Sequence, residues 1–133
     1  MRIDRELYDE MVAHARADAP NECCGIVASR EGHAVKVYRA TNAAASPLRF
    51  EIDGQEAIQL TQEIDASGLE LGAISHSHTR SAPEPSQTDI NFGLWWPGVV
   101  WIIVGVAGDA PADVRAFTIS DGGQVAKAEL VVE

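Results

Sequence analysis

Apolar positions recur along this chain in two rhythms, one helical and one of strands. Leu7, Tyr8, Met11, Val12 and Ala15 share one face at helical spacing, predicting a first helix over 5–17, with Asp4 placed to cap it and Pro20 just beyond its end. A second helix is predicted over 54–67. Asp53 and Glu56 resemble a capping box, Ala57, Ile58, Leu60, Thr61 and Ile64 form its inner stripe, and Gly68 suits the position after its last turn. Ser86 is placed to cap a third, running to about Leu94. Between the helices, 24–28 reads as a short buried strand turned by Glu31-Gly32, and Val35 and Val37 alternate with Lys36 and Tyr38 as in a strand with one buried face. Further strands are predicted at 48–52, 69–77, 114–119 and 125–132, the last two joined at Asp121-Gly122-Gly123. The uninterrupted apolar run 99–106 reads as a central strand buried on both faces. Mixed strands with three helices predict an α+β or three-layer α/β domain.

Composition narrows the function classes. The chain has 133 residues, the length of one domain, with no repeat or low-complexity tract; 46% are hydrophobic and 23% charged, an ordinary globular balance. A net charge of −10 repels a phosphate backbone and argues against nucleic-acid binding. Met1-Arg2-Ile3-Asp4 is followed by no apolar h-region, and the longest apolar run, 99–107, is about half of what a bilayer needs, so neither a secretory signal nor a membrane span is expected. The two cysteines, Cys23 and Cys24, are neighbours and form no disulfide framework. The expected setting is cytoplasmic.

Candidate chemistry gathers in the second half. In Ser75-His76-Ser77-His78 at a strand end, His76 and His78 point to one side and suit a pair of zinc ligands; two polar residues at a loop mouth are the alternative. Asp89, in the first turn of the third helix, is able to complete a two-His, one-Asp set and leave a fourth position open, as in catalytic zinc sites. Ser86, three residues earlier, shares its helical face, although Ser86-x-x-Asp89 is also a plain capping box. Glu22, ahead of a buried strand, is the candidate general base, with a solvated loop residue as the alternative. Cys23 and Cys24 read as small buried hydrophobes and not as nucleophiles. His14 and His33 have no partners at metal spacing, and Trp95, Trp96 and Trp101 read as packing residues. Arg49 and Arg80 are each candidates for holding a substrate carboxylate, against a plain surface role.

Together, Glu22, His76-x-His78, seven residues, then Ser86-x-x-Asp89 resemble the full signature of the JAMM/MPN+ metalloprotease family, E…H-x-H-x7-S-x2-D. The likeness extends to the early helix, the Glu-x-Cys-Gly strand start and Asn42-x3-Ser46-Pro47-x-Arg49-Phe50. It implies a cytidine-deaminase-like α/β/α fold spanning the chain as one JAMM/MPN+ domain, and peptidase or isopeptidase chemistry with one Zn2+ per chain. His76, His78 and Asp89 would then be the ligands, Glu22 the acid/base, and Ser86 the donor to the developing oxyanion. The family often has Pro after the second His; here Thr79 and Arg80 follow. The chain is also too short for the ubiquitin-gripping insertions of eukaryotic deubiquitinating members. His78-Thr79-Arg80 and Glu22-Cys23-Cys24-Gly25 look most like the bacterial Mec+ type, the CysO-cysteine peptidases. That likeness implies a ubiquitin-like sulfur-carrier protein (CysO, ThiS or MoaD-like) as substrate and partner, with release of cysteine in its biosynthesis. Charge and the apolar runs leave no nucleic acid or membrane partner expected, and a homodimer stays open. A peptidase acting on another adduct, or a non-catalytic scaffold domain, are the alternatives. Nucleotide deaminase activity is not implied, since that family's H-x-E and P-C-x-x-C pattern is absent.

Overall fold

The structure, a computed structural model describing residues 1–133, orders its elements as β1 (Arg2–Ile3), α1 (Arg5–Asp18), β2 (Cys24–Arg30), β3 (His33–Ala40), α2 (Gly54–Ala66), β4 (Glu70–His78), α3 (Gln87–Gly93), β5 (Val100–Gly105), β6 (Asp113–Ile119), β7 (Val125–Ala128) and β8 (Val131–Val132). The strands form one mixed sheet in the order β7-β6-β5-β4-β2-β3-β1-β8. β4 runs parallel to β5 and antiparallel to β2. β7 and β8 end the sheet at opposite edges, yet only Glu129 and Leu130 separate them, so the sheet must curl until its edges approach.

Each face of the sheet carries its own core. On one face Ile102 and Val104 of β5 pack with Val27, Val37, Ile3 and the α1 residues Met11 and Ala15. On the other, Trp101 and Ile103 pack with Ile26, Ile74, Phe117 and Ile64 of α2. The alternation along β5 explains why that run is apolar throughout, and it realises the three-layer arrangement expected from sequence. No helix is long and apolar enough to cross a membrane.

Local departures have local causes. The strand predicted at 48–52 does not form. Only an isolated Asn42–Ile52 bridge is present, and the Asn42 side chain takes up the Arg49 carbonyl and Glu51 N–H that a ladder would have used. The predicted strand 125–132 breaks into β7 and β8 at opposite sheet edges. The expected alternation in β3 fails at Val35. Ala28 pairs with Lys36 and Ser29 with Ala34, so Val35 is the extra residue of a bulge and is 45% exposed, while Tyr38 is buried. Asp4 makes no capping bond, its carboxylate being paired with His33 Nε2 at 3.0 Å. Asp53 does cap α2, but Glu56 accepts from the Thr41 N–H instead of closing a capping box, and Ile58 of the predicted stripe faces solvent.

Candidate active site

Strand alternation places His76 and His78 on one face of β4, with Ser77 between them on the other. The start of α3 delivers the carboxylate. Ser86 Oγ accepts from the Asp89 N–H at 3.1 Å, and the Ser86 N–H donates to Asp89 Oδ2 at 3.0 Å, a complete capping box. The capping and metal-ligand readings of this pair are therefore compatible: the box holds Asp89 with its carboxylate turned toward the histidines. Asp89 Oδ2 lies 3.1 Å from His76 Nε2 and 3.1 Å from His78 Nε2, and the two nitrogens are 3.2 Å apart.

This triangle fits a zinc ion. Tetrahedral ligands with bonds of about 2.0 Å stand about 3.3 Å from one another. Protonation points the same way. His78 Nδ1 lies 2.8 Å from the Ala82 carbonyl oxygen and must donate to it, so a neutral His78 turns a lone pair inward from Nε2. That lone pair and an Asp89 oxygen converge, with the His76 Nε2 proton at most to share between them. His76 Nδ1 is itself buried without a partner. A cation at the centre of the triangle would satisfy all three groups.

The charges respond to this packing. Burial opposes ionisation of Asp89, but the adjacent His76 and His78 rings overcome it and hold the carboxyl well below its usual range. Burial pushes His76 down. Burial acts in the same sense on His78, but Asp89 and the Ala82 carbonyl outweigh it and raise its pKa.

Glu22 reaches the site through strand register. Cys24 pairs with His76, and the Ser77 N–H donates to the Cys23 carbonyl at 3.1 Å, so the pairing carried two residues further sets Glu22 opposite His78. A Glu22 carboxylate oxygen and one ring nitrogen of each histidine lie within 4.8 Å of one another. Glu22 is 4% exposed, and burial pushes its pKa up to about 7, with His78 lowering it and Asp89 raising it. Gly25, in β2, has to be glycine: a Cβ there would stand 2.7 Å from the Tyr38 carbonyl oxygen.

Three residues outside the proposed catalytic and ligand set prove central to this geometry. Phe50 stacks on His76 with ring centroids 4.4 Å apart and is backed edge-on by Phe92. Ser77 Oγ accepts from the Cys23 N–H at 2.8 Å, tying β4 to the Glu22 segment. Thr79, where the family often has proline, donates from Oγ1 to the Pro20 carbonyl at 2.8 Å, a bond that proline is unable to make. The Asn42-to-Phe50 motif and the position between the two histidines were the available signals.

The remaining candidates separate. Arg49 lies on an open groove of ≈ 360 Å³ with Phe50, Glu51, Thr88, Asn91, Phe92 and Trp95, and its Nη1 is 3.5 Å from Glu51 Oε2. Arg80 lines a different cleft with Ala82, Pro83 and Gly105. Trp101 is core as expected, whereas Trp95 is 81% exposed. Cys23 and Cys24 are buried, and burial pushes their thiols up to about 11 and about 12. His33, expected to stand alone, meets Asp4 and Glu133 at the surface.

Residues 4–120 match the family model described as prokaryotic homologs of the JAB domain. A desampylase of Pyrococcus furiosus is 32% identical over 112 residues, covering 84% of this chain and 76% of that protein. A CysO-cysteine peptidase of Mycobacterium tuberculosis is 31% identical over 133 residues, covering 98% of this chain and 90% of the relative. Among solved structures, a protein from Desulfitobacterium hafniense superposes with a TM-score of 0.85 at 27% identity, over 100% of this chain and 93% of that one.

Proposed function

The chain belongs to the family of prokaryotic homologues of the JAB domain and is a JAMM-type peptidase, a hydrolase; from that premise we propose a zinc-dependent enzyme that cleaves the amide bond after the C-terminal tail of a ubiquitin-like sulfur-carrier protein and releases cysteine. The observation that carries this reading is the triangle of His76 Nε2, His78 Nε2 and Asp89 Oδ2, with Glu22 beside it. These three side chains would hold one Zn2+ per chain. When bound, the ion supplies Lewis acidity, polarising the scissile carbonyl and making water more acidic.

The chain's own residues supply the proton work. Glu22, buried beside the ligands, takes a proton from the attacking water and returns it to the leaving nitrogen. Ser86 Oγ accepts from the Asp89 N–H, which leaves its own proton to donate to the substrate oxygen that becomes negative. The substrate tail lies extended in the groove between Arg49 and Trp95. Phe50 is shared between that groove and the stack on His76, so the groove leads to the ligands. Arg80, two residues past His78 and in a cleft of its own, is the cation for the carboxylate of the departing cysteine. A net charge of −10 suits a carrier with a basic patch, and the free thiols of Cys23 and Cys24 suit a reducing, cytoplasmic setting.

The likeness to a desampylase favours one other reading, the same chemistry on a different conjugate. Intact-mass analysis decides between them. A sulfur-carrier protein extended by one C-terminal cysteine, incubated with the enzyme, loses that residue, and a zinc chelator prevents the loss. Cleavage of other conjugates but not of this one would transfer the enzyme to the second reading.

A further inference from the structure

We propose that Asn42 is a positioning residue for Glu22, joining the acid/base to the loop that presents Phe50 to His76. The inference rests on the reading of Glu22 given above. The Asn42 side chain uses its whole hydrogen-bonding capacity. Nδ2 donates to the Glu22 carbonyl at 2.9 Å and to the Arg49 carbonyl at 3.0 Å, and Oδ1 accepts from the Ala44 and Glu51 N–H groups, both at 3.0 Å. The orientation of the amide is unambiguous, because the opposite one would set two donors against N–H groups and an acceptor against carbonyls.

Glu22 depends on this anchor. Its Oε1 is buried with no hydrogen-bond partner, so the carboxylate has no side-chain tether there and its place follows from its backbone. Both backbone groups of Glu22 are bonded to the 42–52 segment: the N–H donates to the Ser46 carbonyl at 2.9 Å, and the carbonyl accepts from Asn42. The same amide grips the Arg49 carbonyl and the Glu51 N–H, the peptide groups on either side of Phe50, whose ring lies 4.4 Å from that of His76. One side chain thus sets the base and the ring behind a metal ligand relative to each other. Asn42 also closes the turn in which Ala45 adopts a left-handed conformation at φ 45, a strain that the surrounding bonds must hold.

A purely local role for Asn42, shaping its own turn, makes a different prediction, and Asn42→Asp separates the two. The variant keeps the acceptor for Ala44 and Glu51 and loses the donor to Glu22 and Arg49. Hydrogen exchange should show the Glu22 N–H losing protection while those of Ala44 and Glu51 keep theirs. Zinc content should be unchanged, kcat should fall about 10- to 100-fold and KM should change less than about twofold, the pattern of a misplaced base. Unchanged protection at Glu22 with unchanged kcat would overturn the proposal. If Asn42→Asp fails to fold, native-state exchange of the wild type decides. The N–H groups of Glu22, Ala44 and Glu51 should open as one unit, and three unrelated openings would overturn it. A wild type that cleaves no conjugate would refute the proposed function, while the exchange result would still judge Asn42.

Discussion

The molecule gathers three or more histidine and carboxylate side chains at two places, and only one of them has the makings of a metal centre. At the first, His76, His78 and Asp89 have side chains 0–5% exposed, and their ligand atoms converge without enough protons to satisfy one another. At the second, Asp4, His33 and Glu133 lie on neighbouring segments at the β1–β8 edge with side chains 35–62% exposed. There each charge already has a partner. His33 pairs with Asp4 at 3.0 Å, and Arg2 engages both Glu133 oxygens at 2.6 and 3.1 Å. The residue types are the same at both places; burial and unmet valence set them apart. A lone pair in water costs nothing, whereas the same lone pair in a sealed pocket must find a proton or a cation.

The sharpest way to break this contrast is to remove one histidine from each cluster. His78→Ala should abolish zinc retention through dialysis, remove the rise in Tm that zinc confers, and eliminate activity. His33→Ala should leave all three unchanged, and loss of zinc from His33→Ala would erase the distinction. Glu22→Gln is next in size. Zinc should stay bound while kcat drops about 10²–10⁴-fold, measured on the carrier conjugate. Full activity in this variant would show that another group handles the proton.

Smaller effects sharpen the picture of how the buried cluster is held. Thr79→Val keeps the shape of the side chain but removes the bond to the Pro20 carbonyl, so it should lower stability by about 1 kcal/mol in denaturant unfolding, with Thr79→Ser restoring it. The mildest effect concerns the two thiols that follow Glu22. Burial raises Cys23 and Cys24 to about 11 and about 12, so at pH 8 the folded protein keeps both protonated and resists alkylation, while the unfolded chain reacts. The unfolded thiols ionise first, so the folded state binds more protons above the ordinary thiol range, and stability declines as pH rises through that range. Rapid alkylation of the native protein at pH 8 would contradict this burial.

Much of the site was legible because its determinants are local. The His76-x-His78 alternation, the Ser86–Asp89 box and the buried run of β5 follow from strand and helix periods, and the structure reproduces each. What escaped depends on partners outside an element's own period. Asn42 replaces a ladder at 48–52 with side-chain bonds, the curl of the sheet splits 125–132 between two edges, and the Val35 bulge shifts an otherwise plain alternation. The approach of His33 to Glu133 belongs to the same class, since it exists only once β1, β3 and β8 lie side by side. Thr79 was visible as a departure from the family pattern, but its bond partner, the Pro20 carbonyl, becomes apparent only when β4 meets the segment before β2.

An anomalous difference map at the zinc edge, from crystals grown with one equivalent of zinc, tests the central claim most directly. A single peak within bonding distance of His76 Nε2, His78 Nε2 and Asp89 Oδ2, with none beside Asp4, His33 and Glu133, is the predicted result. A peak at the surface cluster with none between the buried histidines would contradict it.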